Sequence, residues 1–136
     1  MPQETKHATL TWQGGTRFGG GEPGGPTILI DGDGKASPSP VVALLMAAAA
    51  CSGADIVLIM EKMRVELTEL TIAASGVRRE EQPRRYLSMH FDFRMAGAGL
   101  DETKARRAID LSIEKYCSVV HSLAPDIAIT YDVAIA

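Results

Sequence analysis

Only two of the 136 residues are cysteine, Cys51 and Cys117. A disulfide-stapled scaffold is excluded, and a chain of this length buries a core without staples. The histidines His7, His90 and His121 show no ligand spacing with one another or with the cysteines, which argues against a zinc site. Positive charge is not in excess: 14 Lys and Arg stand against 17 Asp and Glu, for a net charge of −3. That removes the electrostatic case for nucleic acid or an anionic membrane. The N-terminal stretch from Met1 to His7 is polar and lacks an apolar signal core, so the expectation is a cytoplasmic chain. There a cysteine pair is catalytic, redox-sensing or simply reduced. The glycine-rich stretch from Gly19 to Gly25 has no following Lys-Ser/Thr and opens no helix, so it is no phosphate cradle.

One segment is apolar enough to raise the question of a membrane. Val41 to Met60 has the roughly twenty residues a bilayer requires. Ser52, Gly53 and Asp55 interrupt it, and an Asp near mid-bilayer costs at least roughly 2.5–3.5 kcal/mol. The flanks also lack aromatic belts and a Lys/Arg asymmetry. The segment reads instead as a buried core helix, with no membrane partner.

What is present reads as an α+β chain, one domain over residues 1–136. His7 to Gln13 alternates as a strand, Thr16 to Phe18 begins a second, and the glycines that follow form a flexible loop. Thr27 to Asp31 is a third strand. Ser39 caps a helix that Pro40 opens and that runs to about Met63. That is about 36 Å of helix, against a radius of gyration of about 14 Å for such a chain. One small sheet cannot cover so long an apolar element, which predicts an intimate homodimer. Leu67 to Arg79 and Tyr86 to Met95 are strands, the second alternating Leu87, Met89, Phe91 and Phe93 with polar residues. Asp101 caps a second helix with Ala105, Ile109, Ser112, Ile113, Tyr116 and Val120 inward and Cys117 beside them. Ala124-Pro125 stops it, and residues 127–135 alternate as a final strand.

A reactive cysteine must be a thiolate, which needs a lowered pKa. Cys51 lies about three turns inside the first helix, beyond the reach of the helix dipole, and apolar surroundings raise a thiol pKa. It is reactive only if the fold brings a cation, and Arg17 is the candidate, because a guanidinium stays charged and offers forked donors. The bland alternatives are a solvated strand arginine and two inert core thiols. A redox pair would require the two cysteine Cα atoms within about 4.4–6.8 Å. Asp55, four residues after Cys51, reads as a capping or pairing carboxylate. His121, four after Cys117, reads as a helix-surface residue. Arg78, Arg79, Arg84 and Arg85 around Glu80-Glu81 read as a solvated hairpin tip.

Two motifs carry a resemblance to a known family. The first is Ser39-Pro40-Val41-Val42-Ala43-Leu44-Leu45-Met46-Ala47-Ala48-Ala49-Ala50-Cys51-Ser52-Gly53-Ala54-Asp55, continuing into Leu58 to Arg64; the second is Ile113-Glu114-Lys115-Tyr116-Cys117-Ser118-Val119-Val120. Over nearly its whole length the chain resembles the OsmC/Ohr family of osmotically inducible and organic hydroperoxide resistance proteins. The resemblance implies antiparallel sheets wrapped around long central helices in an intertwined homodimer. It implies thiol-dependent reduction of organic hydroperoxides, with Cys51 peroxidatic, Cys117 resolving through an intramolecular disulfide, and Arg17 activating the thiolate. An external dithiol would then reduce the disulfide. No metal or organic cofactor is implied. The chain departs from the hydroperoxide resistance branch in one respect. That branch has a glutamate just after the helix-opening proline, paired with the arginine, where this chain reads Pro40-Val41-Val42. Glu22 in the glycine loop is the available substitute. The alternative is a small-ligand-binding homodimer of the same fold without peroxidase activity.

Overall fold

The computed structural model describes residues 3–136. Met1 and Pro2, part of the polar N-terminal stretch, lie outside the described residues. The chain forms two compact units, residues up to Leu44 and Leu45–Ala136.

The first unit is a three-stranded antiparallel sheet of β1 (Thr9–Trp12), β2 (Arg17–Gly21) and β3 (Ile28–Asp31), in the order β1-β2-β3. Of the glycines expected as loop, Gly19, Gly20 and Gly21 belong to β2, while Gly24 and Gly25 lie in the turn that follows. Gly20 pairs with Leu10 on one side and Ile28 on the other, and a Cβ there would collide with the Thr9 carbonyl. The neighbouring backbone comes so close that only glycine fits, so a composition that signals a loop here serves a strand. Asp31 ends β3 buried, accepting from Thr16 Oγ1 at 2.6 Å and from the Ala36 N–H at 3.0 Å.

The long helix α1 runs Pro40–Lys62. It starts as its sequence predicts: Ser39 Oγ accepts from the Val42 N–H at 3.3 Å and the Ser39 carbonyl from the Ala43 N–H at 2.7 Å. It stops at Arg64, which adopts the left-handed conformation (φ 61°) while the Val65 N–H closes back onto the Met60 carbonyl at 2.9 Å.

In the second unit α1 packs against a sheet of β4 (Glu66–Arg78), β5 (Tyr86–Ala98) and β6 (Ala128–Ile135), in that order. Met89, Phe91, Phe93 and Met95 from β5 are buried, while Leu87 at its start is exposed. Leu45, Ala48, Ala49, Ser52, Ile56 and Met60 bury one face of α1. Small residues set the approach: a Cβ on Gly53 would stand 3.0 Å from Ile72 Cδ1 on β4. Each fully buried Phe or Met contributes about 1.5–3 kcal/mol. The second sheet is mixed rather than wholly antiparallel. β4 and β5 are antiparallel, but β6 runs parallel to β5, with Phe91 beside Tyr131. The helical stretch between β5 and β6 supplies the crossover a parallel pair requires.

That stretch is not one helix. The α2 helix (Glu102–Leu111) passes into a π-helical turn (Ser112–Tyr116), breaks at Cys117, and resumes as α3 (Ser118–Ser122). Asp101 caps α2 as expected, accepting from the Lys104 N–H at 2.8 Å. The inward stripe holds through Ala105, Ile109 and Ser112 and then slips. Tyr116 turns out, 50% exposed, and Cys117 turns fully in. The cause is one extra residue in the turn, since the Cys117 N–H bonds the Ser112 carbonyl, five residues back, at 2.7 Å. Cys117 therefore lies between helices, in an extended conformation, rather than on a helix face.

Candidate redox site

The break at Cys117 faces the middle of α1. The Cys117 thiol is buried and lies against the Ala48 carbonyl at 3.9 Å, one turn before Cys51. The half-buried Cys51 lies near Cys117, and both cysteines are free thiols. Two residues 66 apart in sequence thus lie close together on separate elements. Burial pushes the Cys117 pKa up to about 11, opposed by the Val120 N–H and reinforced by the Cys51 thiol and the Asp55 charge. Cys117 is therefore a protonated thiol at neutral pH.

Behind the pair lies a polar cluster. Ser112 Oγ is 2.9 Å from Ser52 Oγ and 3.0 Å from Asp55 Oδ2, with both serines buried. Asp55 is thus the pairing carboxylate its position suggested. Its partner serine comes from an element 57 residues away, and no local pattern announces it. Asp55 also lines a cavity of about 800 Å³ with Leu58, Met63, Leu111, Arg107 and Tyr116.

Arg17 is exposed on β2 in the N-terminal unit, donating from its guanidinium to the Gln13 carbonyl at 3.3 Å. Glu22 is exposed and pairs with Lys6 Nζ at 3.7 Å. His121 stays on the surface, but its Nε2 donates to the Ile113 carbonyl at 3.1 Å, a carbonyl the π-helical turn leaves free of the Cys117 N–H. Among the described residues, one cluster has the atoms to hold a metal ion. His90 Nε2 lies 3.3 Å from Asp92 Oδ1 and 3.2 Å from Asp132 Oδ2 on the open face of β5 and β6. Comparing the histidines with cysteines and with one another misses this cluster, because its acidic members are one on the same strand and one on the neighbouring strand.

Comparison with known proteins places the chain. The model of the family described as OsmC-like protein matches residues 32–132. Protein YhfA of Escherichia coli K12 is 38% identical over 125 residues, covering 91% of this chain and 93% of that protein. A hypothetical protein from Aquifex aeolicus VF5 has a solved structure with TM-score 0.84 at 27% identity, covering 98% of this chain and 99% of that one. The organic hydroperoxide resistance protein OsmC of Legionella pneumophila shares the fold, with TM-score 0.68 at 13% identity over 98% and 99% of the two chains. With the family model spanning most of its length, this chain belongs to the OsmC-like protein family.

Proposed function

We propose that the protein is a thiol peroxidase that reduces organic hydroperoxides. The observation that carries this reading is the meeting of Cys51 and Cys117 inside one unit, one thiol half-buried and the other buried and protonated. The asymmetry suits a division of labour. Cys51, as thiolate, attacks the peroxide oxygen, the O–O bond breaks, the alcohol leaves, and Cys51 becomes a sulfenic acid. Cys117 displaces the sulfenic hydroxyl, its proton departs with that oxygen as water, and a disulfide forms. An external dithiol returns both thiols by exchange. A thiolate at Cys51 calls for a cation, a role that the family resemblance gives to Arg17, with no carboxylate after Pro40 to orient it. The Legionella neighbour that shares the fold is named for organic hydroperoxide resistance, which supports the substrate class.

The test is a thiol count. Addition of cumene hydroperoxide is expected to consume two thiols per chain and give a peptide bridged between Cys51 and Cys117. Cys51→Ser is expected to lose activity at least a hundredfold, and Cys117→Ser to accumulate a dimedone-reactive sulfenic acid. Unchanged turnover in Cys51→Ser would sink the reading.

The cavity beside Asp55 favours a second reading, a site for a small ligand. Its apolar walls and the cations Lys62, Lys104 and Arg107 suit an anion with an apolar body. Thiols that stay reduced under excess hydroperoxide, together with saturable binding of such an anion, would favour it.

A further inference from the structure

The regular helical stripe that begins at Ala105 and Ile109 would, carried through as an α-helix, put Tyr116 inward and leave Cys117 beside it. The structure has the opposite arrangement, Tyr116 exposed and Cys117 buried against α1. One residue of helix is about 100° of rotation, so a single-residue slip decides which of the two faces α1. The π-helical turn makes that slip, and such turns are rare and persist where neighbouring structure holds them.

The holding contact is the polar cluster. Ser112 opens the turn, and its carbonyl takes the Cys117 N–H at 2.7 Å. Its hydroxyl has one proton and two neighbours, Asp55 Oδ2 at 3.0 Å and Ser52 Oγ at 2.9 Å. Asp55 Oδ2 accepts that proton, which leaves Ser112 to accept from Ser52. The arrangement is complete only with an acceptor oxygen from residue 55 in place. It pins the start of the turn to α1 one helical turn beyond Cys51, and the donation from His121 Nε2 to the Ile113 carbonyl satisfies the group the slip leaves behind.

We infer that Asp55 is a positioning residue: through Ser112 it holds the π-helical register that presents Cys117, rather than Tyr116, to Cys51. The inference rests on Cys51 and Cys117 being the reacting pair. It concerns the second half-reaction, in which the Cys117 sulfur forms the S–S bond, the Cys51 S–O bond breaks, and water leaves. The carboxylate touches neither bond.

The experiment compares Asp55→Ala, Ser112→Ala and Asp55→Asn with the wild type. Asn keeps an oxygen for the Ser112 hydroxyl and is expected to rescue. In both alanine variants, oxidation of Cys51 by cumene hydroperoxide is expected to keep its wild-type rate, while disulfide formation slows at least tenfold and dimedone traps the intermediate. A peroxide-independent arm uses diamide, which takes two electrons and two protons from the dithiol. It is expected to close the disulfide in the wild type and, at least tenfold more slowly, in the alanine variants. With Cys51→Ser as background, iodoacetamide is expected to alkylate Cys117 at least tenfold faster once Asp55 or Ser112 is alanine. Ser112→Ala removes one oxygen atom and keeps the test open if Asp55→Ala does not fold. Folded alanine variants with unchanged disulfide rates and unchanged Cys117 protection would overturn the inference, as would a wild type that diamide cannot bridge. If hydroperoxide leaves wild-type Cys51 reduced, the peroxidase reading fails, while the diamide and alkylation arms still decide the register.

Discussion

At the scale of single residues, Cys117 couples redox chemistry to pH. Its thiol sits near pKa 11 in the fold, against an ordinary value of 9.0, chiefly because burial disfavours the thiolate. Below pH 9 both folded and unfolded chains keep the proton, and its contribution to stability is fully present. Between pH 9 and 11 the unfolded chain releases the proton and the folded chain does not, so that contribution is lost as pH rises. Each unit is worth about 1.4 kcal/mol, and the expected loss across the window is on the order of 1–2 kcal/mol. Urea midpoints at pH 8 and 10.5 measure it, and Cys117→Ala should remove this component. An equal alkaline loss in the variant would refute the assignment to Cys117. Both cysteines were legible because each sits in a motif. Asp55 was legible only as a carboxylate in want of a partner. Ser112 was legible as an inward residue and Ser52 as a polar break in the apolar run, but their meeting was not, since it depends on a tertiary contact between residues 60 apart.

At the scale of elements, sequence pattern located strands and helices and missed where backbone geometry overrides composition. The glycines of β2 look like loop because their reason for being glycine, the closeness of flanking strands, is invisible along the chain. The break at Cys117 hides for a similar reason: a π-helical turn differs from an α-helix by one hydrogen-bond register, and the apolar spacing around it hardly changes. The end of α1 offers an element-scale prediction. Arg64 is the one non-glycine residue with positive φ among those described, and it occupies the left-handed position after the helix where glycine is the usual occupant. An L-residue other than glycine is strained there by about 1–2 kcal/mol, while glycine adds freedom to the unfolded chain. Arg64→Gly is therefore expected to stabilise by about 0.5–1 kcal/mol, read as a higher urea midpoint with unchanged slope. A lower midpoint would show that the arginine side chain contributes more than its backbone costs.

At the scale of the whole molecule, the apolar surface left open is the argument for a second copy. On the first sheet Leu10, Trp12, Phe18 and Ile28 are exposed, Trp12 by 65%. The registers put Trp12 beside Phe18 and Phe18 beside Ile30, so they form one face rather than scattered residues. Along α1, Met46, Val57 and Leu58 are also open, and only 33% of its most apolar stretch is buried within the chain. That helix has the length and hydropathy to cross a membrane, yet its buried face carries Ser52, and Asp55 is tied to Ser112. Those contacts belong to a helix packed in protein. A stable dimer buries about 1,200–2,000 Å², which two such faces can supply. The expected particle has about twice the 14.5 kDa chain mass by light scattering and fractionates without detergent. Leu58→Glu places a charge on the open face of α1 and is expected to shift the mass toward the single chain, with a loss of stability of several kcal/mol because the apolar face then meets water. A wild-type particle of single-chain mass at micromolar concentration would defeat the argument, and recovery only in detergent would hand the helix back to the membrane.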